Sequence, residues 1–148
     1  MAIKEVTPQQ VHDILTKDPS VVYIDVRTER EFANGHPQGA INIPVAFPDP
    51  ARGMVMNENF VRVVEAHFPH EKNIIVGCQA GPRSNAAAGL LQQAGYQDVS
   101  NMLGGFGGMR DPMGTVIAPG WAASGLPVSQ DNDEGVSYQS LAAKVSKQ

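Results

Sequence analysis

Two short β-branched runs constrain this chain most: Val21-Val22-Tyr23-Ile24-Asp25-Val26 and Asn73-Ile74-Ile75-Val76-Gly77. Both are almost continuously apolar rather than alternating, the pattern of strands covered on both faces in a parallel sheet. Segments with helical spacing surround them. Thr7-Pro8-Gln9-Gln10 reads as a helix start, with Thr7 as cap, Pro8 at the first helical position and Gln10 completing a capping box. Val11, Ile14 and Leu15 give that helix its apolar face, and Pro19 ends it. Thr28 and Glu31 repeat the box just before Phe32. Asn57 is expected to cap a helix carrying Phe60, Val63, Val64, His67 and Phe68 at helical intervals. Residues 84–93 are alanine-rich and helical, with Gly95 as the stop. Ala40-Ile41-Asn42-Ile43 and Asp98-Val99-Ser100-Asn101-Met102 read as further strands. The alternation predicts an α/β fold with a mostly parallel central sheet of about five strands flanked by helices. Residues 46–56 and 104–120, broken by proline and glycine, are expected as loops.

The chemistry concentrates where the second β-branched run ends. Gly77-Cys78-Gln79-Ala80-Gly81-Pro82-Arg83-Ser84 leads from a strand into a helix. In open α/β sheets ligands sit at the carboxyl ends of strands. A short loop entering a helix turns backbone N–H groups toward one point, and the helix dipole adds partial positive charge. Such a cradle stabilises a thiolate without a histidine base. Arg83, five positions after Cys78, is placed to add a permanent charge. Pro82 lacks an N–H and removes one donor from the cradle. Arg27 ends the first run on the same predicted edge, as a second cation for an anionic substrate, as the salt-bridge partner of Glu31, or as both. Asp25 reads as structural support, and Ser84 as a helix cap that can also donate to a sulfur anion. None of His12, His36, His67 and His70 has a position that marks it as a catalytic base, which sets aside a Cys–His hydrolase.

The cysteine loop and its neighbours resemble the rhodanese family. Ile24-Asp25-Val26-Arg27, Glu31-Phe32 and Gly35-His36-Pro37-Gln38-Gly39-Ala40-Ile41-Asn42-Ile43-Pro44 are similar to that family's N-terminal signature. Gly104-Gly105-Phe106 and Gly125-Leu126-Pro127-Val128 are similar to its C-terminal end. The resemblance implies a three-layer rhodanese-like domain over residues 1–128, followed by a polar tail, 129–148, with a short helix near Tyr138 to Val145. It implies a sulfurtransferase in which Cys78 carries a persulfide. Gln79, Ala80, Gly81, Arg83, Ser84 and Arg27 would line the sulfur, and Asp25, Glu31 and His36 would support the site. The implied donor is thiosulfate or a persulfide, the acceptor cyanide, a thiol or a protein, and no cofactor or metal enters. The stretch 107–120 is longer than the family's usual link to its tryptophan, here Trp121.

Two other functions fit a cysteine loop. Phosphatases and arsenate reductases of related fold hold tetrahedral oxyanions with a cysteine and a trailing arginine, but with five intervening residues against four here, between Cys78 and Arg83. A non-enzymatic persulfide carrier is the other. Composition narrows the partners. A net charge of −4 without a basic run argues against nucleic acid. No stretch approaches the roughly 20 apolar residues that cross a bilayer. The first residues lack the basic-then-apolar pattern of a signal peptide, which predicts a cytoplasmic protein. The chain has one cysteine, so no internal disulfide forms and a structural zinc site has too few ligands.

Overall fold

The computed structural model describes residues 3–79 and 82–146, without the side chains of Pro82 and Ser146. A five-stranded parallel sheet runs through the domain. Its strands are β1 (Lys4–Val6), β2 (Val22–Asp25), β4 (Ile41–Asn42), β7 (Asn73–Gly77) and β8 (Asp98–Met102), in the order β1-β8-β7-β2-β4. β7 is therefore central and β2 lies beside it, as their unbroken apolar character requires. In register, Ile24 faces Val76 and Asp25 faces Gly77.

Helices cover both faces. On one side α1 (Pro8–Lys17) and α2 (Glu29–Asn34) join Trp121 against Tyr23, Ile75 and Met102. On the other, α3 (Phe60–His67), α4 (Pro82–Gln93) and α5 (Tyr138–Ser146) pack Phe60, Val63, Ala88, Leu91 and Leu141 against Ile24, Ile74 and Val76. The fold is thus α/β in three layers. Both expected capping boxes form, at Thr7 with Gln10 and at Thr28 with Glu31. No helix among the described residues is long and apolar enough to cross a membrane.

Several local expectations are corrected. Residues 46–56 form a hairpin, β5 (Ala46–Asp49) with β6 (Gly53–Met56), rather than a loop. Asp49 makes the turn by accepting from Ala51 N at 2.8 Å and Arg52 N at 3.0 Å. The stretch 104–120 contains a second hairpin, β9 (Met109–Arg110) with β10 (Val116–Ala118), whose turn Asp111 closes by accepting from Met113 N and Thr115 N. Asn57 does not cap α3, which starts three residues past it, at Phe60. Its amide instead donates to Pro44 O at 2.8 Å and the Tyr138 hydroxyl at 3.1 Å. The last part of the chain docks on the body. β11 (Val128–Ser129) pairs antiparallel with β3 (His36–Pro37), and His67 Nε2 lies 2.9 Å from Leu141 O on α5.

Candidate active site at the carboxyl end of the sheet

Cys78 follows β7 directly and is 1% exposed. The end of β7, the residue after β2 and the turn at 104–107 converge on it. The carbonyl of Gly77 accepts from Val26 N at 3.0 Å, that of Cys78 from Phe106 N at 2.7 Å, and that of Gln79 from Gly107 N at 2.8 Å. The segment 104–107 is therefore a seat on which the cysteine loop rests. Gly105 makes the close approach possible. It has φ +62°, and a Cβ there would lie 2.3 Å from the Cys78 carbonyl oxygen. Beneath the loop the Tyr23 hydroxyl fills the space over Gly77, where a Cβ would come within 1.7 Å of it. Burial first, then the charges of Asp25 and Cys78, push the Tyr23 hydroxyl well above its usual range, so it stays protonated.

Arg27 ties the site to β2. It is 3% exposed and anchored by Asp25, with Nη2 at 2.8 Å from Oδ2 and Nε at 3.0 Å from Oδ1. The same guanidinium donates to Gly35 O at 2.7 Å and to Gln79 Oε1 at 3.2 Å, and lies 4.5 Å over the Phe106 ring. The expected Arg27–Glu31 bridge is not formed. Along an extended chain residues two apart share a side, which gives Asp25 to Arg27 and leaves Glu31 on the next helix.

Glu31 pairs with Arg83 instead. Arg83 Nη1 donates to Oε1 at 2.6 Å and Nη2 to Oε2 at 2.9 Å. Oε1 also accepts from Thr28 N at 3.1 Å and Thr28 Oγ1 at 3.0 Å. Chiefly through the Arg83 hydrogen bond, with help from Thr28, the Glu31 carboxyl is held at about 2. Arg83 is raised above its ordinary value, first by Glu31 and in smaller part by the charges of Cys78 and Asp25.

The other expected site residues divide. Ser84 is fully buried and donates to Asn101 Oδ1 at 2.5 Å. It is not the helix cap, because α4 already begins at Pro82, whose fixed φ suits a first helical position. His36 is buried and stacked on Phe32 at 3.6 Å between ring centres, with Nδ1 2.8 Å from Phe32 O. Ala80 and Gly81 lie outside the described residues. The remaining histidines are engaged elsewhere: His12 edge-on to Trp121, His67 at Leu141 and His70 at Glu65. Sequence reasoning missed Tyr23, concealed in an apolar run, and Asn101, a polar residue inside a strand. The signal for Tyr23 was the small Gly77 on the neighbouring strand.

A parallel sheet that delivers one cysteine from its central strand to the start of a helix, with a paired arginine in the first turn, defines a cysteine-loop α/β domain. The rhodanese-like domain profile matches residues 7–111. The chain belongs to the rhodanese-like family. It is 40% identical over 116 residues to a protein of Arabidopsis thaliana named thiosulfate sulfurtransferase 16, chloroplastic, covering 78% of this chain and 84% of that protein. It is 33% identical over 129 residues to thiosulfate sulfurtransferase GlpE of Haemophilus influenzae, covering 86% and 96%. Its fold resembles the crystal structure of Rv0390 from M. tuberculosis with a TM-score of 0.73 and 31% identity, over 88% of this chain and all of that one.

Proposed function

We propose that this chain is a single-domain sulfurtransferase in which Cys78 carries the transferred sulfur as a persulfide. The observation that carries the reading is the place of Cys78, between the central strand β7 and the first turn of α4 that holds Arg83. The relatives named thiosulfate sulfurtransferase support the reaction class.

In the forward half-reaction the Cys78 thiolate attacks the outer sulfur of thiosulfate. The S–S bond of the donor breaks, and sulfite leaves with the electron pair. The product is Cys78–S–S⁻, an anion held by backbone N–H groups and the positive end of α4. In the second half-reaction cyanide or a thiolate attacks the terminal sulfur and restores the Cys78 thiolate. No proton has to be shuttled at the sulfur, which fits a site whose histidines are engaged elsewhere. The chain has one cysteine, so the acceptor comes from outside, as a small thiol, cyanide or a protein thiol. A lone reduced thiol suits a reducing compartment such as the cytoplasm.

Intact-mass measurement tests the reading. Wild-type protein incubated with thiosulfate or a persulfide gains one sulfur, roughly 32 Da, and Cys78→Ser gains none, since the thiolate is the nucleophile. A wild type that no sulfane donor modifies, but that hydrolyses an aryl phosphate, would sink it. The four-residue spacing from Cys78 to Arg83 favours the smaller sulfur group over a phosphoryl group.

A further inference from the structure

Both arginines of the site are matched by carboxylates. Arg27 is chelated by Asp25 and Arg83 by Glu31, so these four side chains add no net charge around Cys78. The Glu31–Arg83 pair is not a casual surface contact. Glu31 is fixed independently as the third residue of α2, where it closes the capping box with Thr28, and its carboxylate is presented to Arg83 ready oriented.

Net charge matters for the donor. Thiosulfate brings two negative charges to a thiolate that already carries one, and sulfite leaves with two. A hydropersulfide of a small thiol reacts in its protonated form, which brings a neutral sulfur. The Cys78 thiolate attacks its outer S–H sulfur, the donor S–S bond breaks, and the small thiolate departs with the electron pair. Cys78–S–SH forms, the total charge stays at minus one through the transfer, and loss of the proton to solvent then gives Cys78–S–S⁻. A cation held by a carboxylate offers a dianion little net attraction, whereas an unpaired arginine would raise its local concentration.

We propose that Glu31 is a specificity-determining residue which, by neutralising Arg83, suits the site to hydropersulfides of small thiols over dianionic thiosulfate. The inference rests on the sulfurtransferase reading and specifies its donor. Glu31→Gln isolates the charge, because glutamine also serves as the third residue of a capping box.

The test follows sulfur loading on Cys78 by mass, with thiosulfate or cysteine persulfide as donor and donor concentration varied. For wild type, cysteine persulfide loads about tenfold or more efficiently than thiosulfate, and added salt shifts the half-saturating thiosulfate concentration by less than about twofold. In E31Q that concentration falls by about three- to tenfold, the gain disappears at high salt, and the persulfide value moves by less than about twofold. Adding Arg83→Gln to E31Q removes the gain. An unchanged or raised thiosulfate value in folded E31Q, or equal shifts for both donors, overturns the proposal. So does wild-type loading in which thiosulfate is the better donor or depends steeply on salt, a measurement that needs no variant. Wild type that accepts sulfur from neither donor fails the sulfurtransferase reading itself, which separates the two claims.

Discussion

Gly77 and Tyr23 show how narrowly single residues define this site. The tyrosine hydroxyl occupies the place of a Gly77 side chain, and both residues are buried next to the nucleophile. Gly77→Ala must push the ring aside, at a cost of about 1–3 kcal/mol for an overpacked core. Tyr23→Phe removes the clashing oxygen, so the double variant recovers part of that loss. Urea unfolding of the four proteins measures the coupling, and simple additivity would show that the hydroxyl is not the obstacle. Glu31 gives a second prediction at this scale. Its carboxyl is held at about 2 against an ordinary 4.5, so its contribution to stability is complete above the ordinary value and fades as pH falls from there toward 2. Wild type should lose stability through that interval more steeply than Glu31→Gln, measured as urea midpoint against pH. Parallel curves would mean the ion pair does not act on folding.

At the scale of elements, what could be read from sequence depended on whether one segment carried its own signal. β2 and β7 announce themselves through β-branched residues, and α1 and α2 through Thr–x–x–Gln and Thr–x–x–Glu boxes. β1 does not. Lys4-Glu5-Val6 is a three-residue strand defined only by its parallel pairing with Ser100, Asn101 and Met102. The hairpin of β5 and β6 was hidden because Pro48 looks like a breaker, although an edge ribbon tolerates it. The same limit applies to the site. Cys78, Gln79 and Arg83 lie in one loop and helix start, so their grouping was visible. The Arg83–Glu31 pair joins residues 52 apart in sequence and exists only because α2 and α4 begin at the same end of the sheet. Glu31 was the expected partner of Arg27, and the chain direction after β2 gives that place to Asp25 instead.

At the scale of the whole molecule, the body is completed by its last helix. Leu141 is buried among residues of α3 and the sheet, with Tyr138, Ala142 and Val145 packed around it. Leu141→Ala should therefore cost about 2–4 kcal/mol, as core truncations of leucine do. Thermal or urea unfolding checks this, and a loss near zero would mean that α5 lies on the surface without holding it together. Although Cys78 belongs to the same buried cluster, sulfur loading measured well below the unfolding midpoint should survive the change.

The docking of α5 also bears on biogenesis. A polypeptide leaves the ribosome with its N-terminal part first. The apolar face of α3 has emerged long before its cover, since residues 60–67 precede 138–146 by most of the second half of the chain. During that interval Val63 and its neighbours face solvent on the nascent chain, a period in which a chaperone has a binding surface and the finished domain does not.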